Sequence, residues 1–486
     1  MRHLPLGRDI AWQMWIARQL IGGASLYHDI LETNPPLWFW LAVPVQRLAE
    51  RFEILPQDAL IGAVFGYIAL AQLLFARLIA DLEARRRAWL LVATAIAVIF
   101  VPIADFAQRE HLVLIAAIPY CALVACRAEE RVVPWWLAVA VGLLAAVTFA
   151  LKHYFVAPLL LLEVWILWRL RREWNPFRPE LLALVGAATL YAASLYLCSA
   201  AYLTTIVPML KLAYSAYGRP LRVQLINPNT IFWILGALLV YGLRAIRDSL
   251  TMAYAVAVVG FVVCYFIQHK GFSYHAIPAT GLLFIILGIL LPMQHQARTS
   301  SVLYVGTMSI LGLVLTIPLV VGLYVTLTRE EPSVIKDLLR GTPRGSSVIM
   351  LTADPSRIWP MVENQGYVWP SRYFGMWMLP AFAEEIRTKG KLSLPMQELA
   401  REVRAQTLMD LKCNPPEIII IHDLPSLRAK GIDTLGFFSQ EHEFLQFFAN
   451  YDSAKTGKLG GEPVTSFVRR PGWRPSTPAE GCRKIY

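Results

Sequence analysis

Residues 8–36, RDIAWQMWIARQLIGGASLYHDILETNPP, come immediately before a long and strongly apolar region of the chain. Four charged side chains are spread through this stretch, namely Asp9, Arg18, Asp29 and Glu32. A charged side chain at the centre of a bilayer costs about 2.5 to 3.5 kcal/mol even on the mildest scale. The stretch is therefore predicted to lie at one surface of a membrane and not to cross it.

Apolar residues recur at helical spacing in residues 9–21, which predicts an interfacial amphipathic helix. Gly22 and Gly23 are predicted to end this helix because glycine accepts the left-handed conformation of a helix stop. Asp9 stands where the helix should begin and has two interpretations. It is either an N-cap, the common role of an Asp before a helix, or a catalytic carboxylate held at the membrane surface.

The composition is that of a polytopic membrane protein. Of the 486 residues, 56% are hydrophobic and 16% are charged, against roughly 25% charged in globular domains, and the mean hydropathy is +0.49. The net charge of +11 comes from basic residues in short loops between apolar segments, where it indicates membrane orientation. No basic stripe with interleaved aromatic residues is present, so membrane lipids are predicted as partners and nucleic acid is not.

Ten membrane spans are predicted from apolar segments long enough to cross a hydrocarbon core. Residues 36–50 are too short and contain Pro44, so they are predicted to be re-entrant or to lie in the interface. The predicted spans are residues 59–82, 88–104, 111–126, 134–151, 155–170, 179–198, 230–247, 250–268, 275–291 and 302–327.

Alternate loops differ in their content of basic residues, which predicts the orientation. The richer set is predicted to be cytoplasmic and contains Arg85, Arg86, Arg87, Arg127, Arg131, Arg169, Arg171, Arg172, Arg178, Arg244, Arg247 and Arg298. Residues 1–58, the loops near residues 105, 152, 199–229 and 269, and everything after residue 328 are then predicted to be extracytoplasmic. Residues 1–8 lack the apolar region of a cleavable signal peptide, so a further span upstream of Met1 is expected.

The region after residue 328 has the composition of a soluble α/β domain. Residues 346–354, 415–423 and 464–470 are predicted strands, and residues 395–411 are a predicted amphipathic helix. No glycine-rich phosphate loop follows the first strand, so a nucleotide-binding role is not predicted. The predicted domains are residues 1–58 (an extracytoplasmic loop), 59–327 (the transmembrane domain) and 328–486 (the soluble domain).

Two further features of the C-terminal region leave alternatives open. Cys413 and Cys482 either form one disulfide or remain two thiols, and no cysteine pair has the spacing of a zinc site. The aromatic-rich residues 359–377 either pack against the membrane domain, the more common use of such residues, or stack on sugar rings.

Residues able to carry chemistry form four clusters that are predicted to share one side of the membrane. Singly, each is explained as a solvated loop, a polar turn or a snorkelling anchor, but their joint occurrence on one face favours a common site. The clusters are Asp9 with Asp29, Glu32 and Asn34; Asp105 with Arg109, Glu110 and His111; Lys152 with His153 and Tyr154; and His269 with Lys270, Tyr274 and His275.

The order and sidedness of these motifs resemble the GT-C superfamily of integral-membrane glycosyltransferases that use polyprenyl-phosphate sugars. The resemblance rests on an acid before an amphipathic helix, on GGASLYHDILETNPPL, and on the later motifs QREH, KHYF and HKGFSYHAIPA. It covers roughly residues 8–290 and, in general architecture, the C-terminal domain. It implies a bacterial cytoplasmic-membrane enzyme with Asp9 as the first-loop catalytic acid and Glu110, or alternatively Asp105, as the second-loop acid.

The chemistry of sugar transfer from a lipid phosphate agrees with this resemblance. Phosphate is a good leaving group, so one carboxylate that accepts the proton of the acceptor hydroxyl suffices. Asp9 is predicted to be this base, while Glu110 orients the acceptor or sugar or helps to hold a divalent cation, whose use is left open. The phosphate is predicted to be bound by basic and hydrogen-bonding residues. These are Arg109, Lys152, His153, Lys270, Tyr274 and His275.

Two other functions compete with a transferase. A transporter or flippase of lipid-linked sugars would place ionisable residues near the midplane on broken helices. Here the interior of the predicted spans is nearly free of charge, apart from Arg77 and Glu163. A non-catalytic anchor that presents a glycan-binding domain would not need Asp9 or Glu110. The predicted partners of the transferase are a polyprenyl-phosphate sugar donor and a glycan, lipid or protein acceptor.

Overall fold

The computed structural model describes residues 7–242, 246, 248–294, 301–327, 333–359, 361–473 and 482. Three basic residues of the predicted cytoplasmic loops, Arg244, Arg247 and Arg298, lie outside the described residues. Residues 1–6 and 328–332, next to predicted domain boundaries, also lie outside them.

Helices dominate the chain as far as residue 327. They are α1 (Arg8–Ile21), α2 (Leu37–Arg51), α3 (Pro56–Leu78), α4 (Ala84–Phe100), α5 (Arg109–Ala128), α6 (Trp135–Phe149), α7 (Val156–Leu170), α8 (Pro179–Cys198), α9 (Val207–Ala213), α10 (Leu221–Leu225), α11 (Pro228–Gly242), α12 (Ser249–Ile267), α13 (Ile277–Gln294) and α14 (Ser301–Leu327).

Shorter helices and four strands follow. The helices are α15 (Ser333–Leu338), α16 (Met361–Gln365), α17 (Leu379–Lys389), α18 (Leu394–Cys413), α19 (Pro425–Arg428), α20 (Thr434–Phe438) and α21 (His442–Phe448). The strands are β1 (Val348–Leu351), β2 (Ile418–His422), β3 (Tyr451–Leu459) and β4 (Glu462–Arg469).

The described residues divide into two compact units. The first, called the membrane unit, comprises the described parts of residues 54–194 and 218–327. The second, called the sheet unit, comprises the described parts of residues 7–53, 195–217 and 333–482. The division into three domains with boundaries at residues 58 and 327 stays a prediction.

The apolar helices confirm a polytopic membrane fold. Each of the ten predicted spans contains a helix, and five helices among the described residues are long and apolar enough to cross a membrane. Those five are Pro56–Leu78, Arg109–Ala128, His153–Glu173, Pro179–Cys198 and Ser249–Ile267. The number of spans stays a prediction, because four further apolar helices are shorter.

Small residues allow close packing in the membrane unit, as is usual between helices in lipid. The central helix α5 is buried along nearly its whole length. A Cβ atom added at Gly281 of α13 would lie 2.4 Å from Leu114 of α5, and one added at Gly260 of α12 would lie 2.4 Å from the Cα atom of Pro158 in α7. These glycines therefore bring α12 and α13 close to their neighbours.

In the sheet unit, α1 departs in two ways from its prediction. Gly7 is the N-cap and Asp9 lies in the first turn, so the N-cap interpretation of Asp9 is wrong. All residues from Ile10 to Ala17 are buried, whereas an amphipathic helix would leave one face exposed. Gly22 and Gly23 do end α1, with Gly23 at φ +95°, which confirms the predicted stop.

Polar side chains of α1 find partners in other parts of the sheet unit. Gln13 donates to the carbonyl of Trp38 in α2 at 2.9 Å. Arg18 makes a bidentate ion pair with Glu363, with N–O distances of 2.8 and 3.1 Å. The backbone N–H of Leu31 donates to the carbonyl of Arg372. The first loop and the C-terminal region thus fold together as one unit.

The sheet has the order β1-β2-β4-β3, with β1 and β2 parallel and the other pairs antiparallel. Strands β1, β2 and β4 and helix α18 confirm the predicted α/β domain. Strand β3 was not predicted, because its sequence YDSAKTGKL is mostly polar and its middle residues are exposed. It lies at the edge of the sheet and pairs only with β4 among the described strands. Polar residues there protect the side of the strand that has no neighbour.

Cys413 and Cys482 form a disulfide with a Cα–Cα distance of 5.3 Å. This decides between the predicted alternatives of one disulfide and two thiols.

The aromatic-rich stretch is used mainly for packing, since Trp359, Trp369 and Tyr373 are buried. Within the sheet unit, the Trp12 ring of α1 stacks on Phe374 and meets Trp359 edge to face.

Candidate active site

Five of the predicted site residues lie together in the membrane unit. Glu110 is in the first turn of α5, Lys152 precedes the 3-10 turn His153–Phe155, and His275 is in the 3-10 turn Ser273–Ala276 before α13. The Nζ atom of Lys152 lies 2.5 Å from Oε1 of Glu110. The Nε2 atom of His275 lies 3.8 Å from the same oxygen. We call Arg109, Glu110, Lys152, Lys270 and His275 the basic cluster.

The start of α5 is held in place by a buried histidine. The Nδ1 atom of His111 accepts a hydrogen bond from the backbone N–H of Ala107 at 3.0 Å. Its Nε2 atom is 2.8 Å from the carbonyl of Val98, so this nitrogen carries the proton and donates it. His111 is therefore a structural residue, and it fixes the turn that presents Arg109 and Glu110.

Lys152 is enclosed by aromatic rings. Its Nζ atom lies 5.4 Å from the ring centroid of Tyr154 and 5.3 Å from that of Tyr274, within the range of a cation–π interaction. The Tyr274 ring meets His275 edge to face at 4.5 Å. Tyr154 has no predicted role in the site, although its place two residues after a lysine in KHYF is a signal for this contact.

Positive charge exceeds negative charge in the basic cluster. Arg109 and Lys152 are buried, and the Glu110 carboxylate pairs with Lys152. Burial, together with the positive charges of Lys152 and Arg109, lowers the pKa of Lys270 to about 7. Because arginine and lysine form strong charge-assisted hydrogen bonds with anions, the cluster is suited to binding an anion.

The cluster also contains buried atoms that have no hydrogen-bond partner among the described residues, and these include Oε2 of Glu110 and Nδ1 of His275. Buried polar atoms are nearly always hydrogen-bonded in folded proteins. A ligand that enters the cluster could therefore satisfy groups that the protein leaves unsatisfied.

The loop that carries Lys270 needs a glycine. Gly271 has φ +62°, and a Cβ atom there would lie 3.3 Å from the Cγ atom of Gln224. The backbone N–H of Arg219 donates to the carbonyl of His269 on the same loop, and the Arg219 guanidinium lies 5.7 Å from the Phe272 ring centroid. The loop is thus fixed on both sides of Lys270.

Asp9 lies in the sheet unit. Its side chain is 21% exposed, and its Oδ1 atom lies 3.5 Å from Nε of Arg8. Arg8 is also 3.9 Å from Asp354, which follows β1. Asp9 is therefore a partly accessible carboxylate with a cation beside it. Neither Arg8 nor Asp354 has a predicted role in the site.

The other carboxylates of the first loop have structural partners. Oε2 of Glu32 accepts from the Trp12 indole at 2.5 Å, and Oε1 accepts from the backbone and side chain of Asn34. Asp29 accepts from the backbone N–H of Ser25 at 2.7 Å. These bonds hold the first loop, so Glu32 and Asp29 are weaker candidates than Asp9.

The remaining candidates are Asp105 and His153. Asp105 is buried in a 3-10 turn, and its carbonyl accepts from the backbone N–H of Gln108. His153 is exposed and its ring contacts Tyr154. Among the described residues, no group of three or more His, Cys, Asp or Glu side chains is arranged to hold a metal ion.

The fold agrees with the fold that the resemblance to the GT-C glycosyltransferases implies. Among solved structures, the chain is similar to ArnT from Cupriavidus metallidurans bound to undecaprenyl phosphate. The TM-score is 0.54 at 13% identity, over 95% of this chain and 94% of that chain. At this low sequence identity, the structural likeness shows the fold and not the activity.

A second similar structure is the Archaeoglobus fulgidus oligosaccharyltransferase tethered with an acceptor peptide. The TM-score is 0.47 at 10% identity, over 96% of this chain and 70% of that chain. No protein-family model matches the sequence, and no curated protein matches it significantly.

Proposed function

We propose that the protein transfers a sugar from a polyprenyl-phosphate donor to a glycan, lipid or protein acceptor of the cell envelope. The observation that carries this proposal is the basic cluster, in which Arg109 and Lys270 lie near the Lys152–Glu110 ion pair. The membrane fold supplies the setting for a lipid-linked substrate. ArnT, which has this fold, was crystallised with undecaprenyl phosphate.

The phosphate of the donor is the anion that the basic cluster is proposed to bind. Charge-assisted hydrogen bonds from arginine and lysine to phosphate are short and strong. Negative charge on the phosphate increases as the bond to the sugar breaks. Groups already positioned to meet that charge usually contribute most to the rate. The residues proposed to meet it directly are Arg109, Lys152, Lys270 and His275, and His153 and Tyr274 are proposed to line the edge of the site.

Asp9 is proposed to be the general base. The oxygen of the acceptor hydroxyl attacks the anomeric carbon, its proton passes to the Asp9 carboxylate, and the bond between that carbon and the phosphate oxygen breaks. Polyprenyl phosphate leaves with the electron pair. A single displacement inverts the anomeric configuration. Asp9 suits this role because its carboxylate is partly exposed, whereas Glu32 is committed to Trp12 and Asn34.

The proposed location is the bacterial cytoplasmic membrane, with the site and the C-terminal domain on the extracytoplasmic side. The basic residues of alternate loops support this orientation through the positive-inside rule. A transporter is less well supported, because Glu163 in α7 is paired with Arg178 and is not left as an ionisable group for a transport pathway.

The test uses the purified full chain in nanodiscs with a panel of undecaprenyl-phosphate sugars, and it follows the release of undecaprenyl phosphate. Asp9→Asn is expected to lower the rate by at least about 10²-fold, the usual contribution of a general base. Thermal unfolding should be unchanged. Asp337→Asn, which removes an exposed carboxylate paired with Arg340, is the matched control and should retain the native rate.

Two results would contradict the proposal. Native protein that releases undecaprenyl phosphate from no member of a broad panel would contradict the transferase activity. Native turnover by Asp9→Asn would leave the activity in place but exclude Asp9 as the base.

A further inference from the structure

Glu110 is placed to serve Lys152 and not the acceptor. Its side chain has no exposed area, and that of Lys152 is 7% exposed. One carboxylate oxygen accepts a hydrogen bond from the Lys152 Nζ atom at 2.5 Å. A residue that handles an acceptor hydroxyl must reach it, and Glu110 offers no exposed surface for this, in contrast to Asp9.

We propose that Glu110 is a positioning residue: it keeps the Lys152 ammonium group charged and fixed inside the basic cluster, and it affects the lipid phosphate only through Lys152. This inference rests on the proposed function, because it assumes that the cluster binds the phosphate of a polyprenyl lipid.

The charges around Lys152 explain why it needs such a partner. A buried lysine loses the solvation that stabilises its charged form, and neighbouring cations disfavour that form further. Lys152 has both disadvantages, and Glu110 offsets them as the acidic member of the cluster. The titratable groups that face the pair include Arg109, His153, Tyr154, Cys264, Lys270, Tyr274 and His275.

The aromatic rings and the start of α5 complete the arrangement. The rings of Tyr154 and Tyr274 lie at nearly equal distances from the Lys152 Nζ atom, so they restrict its position as well as favouring its charge. His111 holds the turn before Glu110 through two hydrogen bonds. The backbone that carries the Glu110 carboxylate is therefore fixed, and the Lys152 ammonium group is held beside that carboxylate.

The experiment measures binding of undecaprenyl phosphate to the full chain in nanodiscs at pH 6 and pH 8. For Glu110→Gln, the ratio of Kd at pH 8 to Kd at pH 6 is expected to rise about tenfold over the native ratio. The reason is that Lys152 loses its proton more readily without the opposite charge. Glu110→Asp keeps the charge and should stay near the native ratio. The ionisation of the lipid phosphate affects the Kd ratio of every protein equally, so it cancels when each variant is compared with native protein.

A double-variant cycle shows whether the effect passes through Lys152. In a Lys152→Met background, Glu110→Gln should produce no further change in the ratio. The inference is overturned if Glu110→Gln leaves the ratio unchanged, weakens binding equally at both pH values, or has its full effect without Lys152. If Lys152→Met does not fold, the comparison of Glu110→Gln with Glu110→Asp still decides.

The failure of this inference differs from the failure of the proposed function. Native protein that does not bind undecaprenyl phosphate at either pH contradicts the proposed function. Native binding with an unchanged pH ratio in Glu110→Gln contradicts only the positioning role.

Discussion

Lys270 combines three features that suit a phosphate-binding residue. It is partly buried, it faces the positive charges of Lys152 and Arg109, and it stands beside Gly271, whose positive φ fixes the loop. Burial and the two cations together bring the pKa of Lys270 to about 7. A bound phosphate would favour the protonated form. Binding of the anion should therefore be accompanied by uptake of a proton.

The pH dependence of binding should reveal this coupling. Below pH 7, Lys270 is already charged in the free protein and its contribution to binding is constant. Above pH 7, Lys270 must take up a proton before it can pair with the phosphate. Its contribution to the binding affinity therefore falls by up to about tenfold per pH unit. The measurement is the affinity of native protein for undecaprenyl phosphate divided by that of Lys270→Ala, from pH 6 to 9.

The exposed residue Lys391 provides the control. Lys391→Ala should follow the native profile at every pH. A native-to-Lys270→Ala affinity ratio that stays constant from pH 6 to 9 would contradict a titrating Lys270 in the site.

At the residue scale, the sequence identified the types of group in the site better than their contacts. Lys152 and Lys270 were found because each stands beside aromatic and histidine residues at the end of an apolar segment. The pairing of Glu110 with Lys152 joins positions 42 residues apart, and no local pattern encodes it. The cap interpretation of Asp9 failed because the helix begins one residue earlier, at Arg8.

At the element scale, close helix packing depends on single glycines. Helices α12 and α7 approach at Gly260 and Pro158, where a Cβ atom would meet backbone atoms. Backbone atoms cannot rotate away as the end of a flexible side chain can. A side chain at position 260 would therefore force α12 to shift away from α7. The two helices lead from the loops that carry Lys152 and Lys270, so their packing helps to fix the basic cluster.

Gly260→Ala is expected to destabilise the protein by about 1–3 kcal/mol, the usual cost of overpacking. The measurement is the thermal unfolding midpoint in detergent. Gly66→Ala in α3 is the matched control: the position is exposed and nothing lies within 4 Å of its added Cβ atom. A Gly260→Ala midpoint equal to that of Gly66→Ala would show that α7 and α12 are not tightly packed.

The elements that the sequence predicted are those with a clear apolar pattern. All ten apolar segments contain helices, and the buried strands β1 and β2 follow continuous runs of apolar residues. Strand β3 escaped prediction because an edge strand needs few apolar residues. Helix α9 lies where a long loop was expected, since its seven residues give too short a periodic pattern.

For the whole molecule, hydropathy carried most of the information. Long apolar segments predict a membrane protein without reference to any relative, and the order of polar motifs between them indicated the GT-C fold. The fold likeness to ArnT at 13% identity agrees with this. The assembly of the first loop with the C-terminal region could not be predicted, because it depends on contacts such as Arg18 with Glu363, 345 residues apart.

The central claim is that the basic cluster binds the phosphate of a polyprenyl lipid. Electron cryomicroscopy of the full chain in nanodiscs with undecaprenyl phosphate tests it most directly. We predict phosphate density with oxygens about 3 Å from the Lys270 Nζ atom, in reach of Arg109 and His275, the distance of a charge-assisted hydrogen bond. Lipid phosphate density at another site, with none beside Lys270, would contradict the claim.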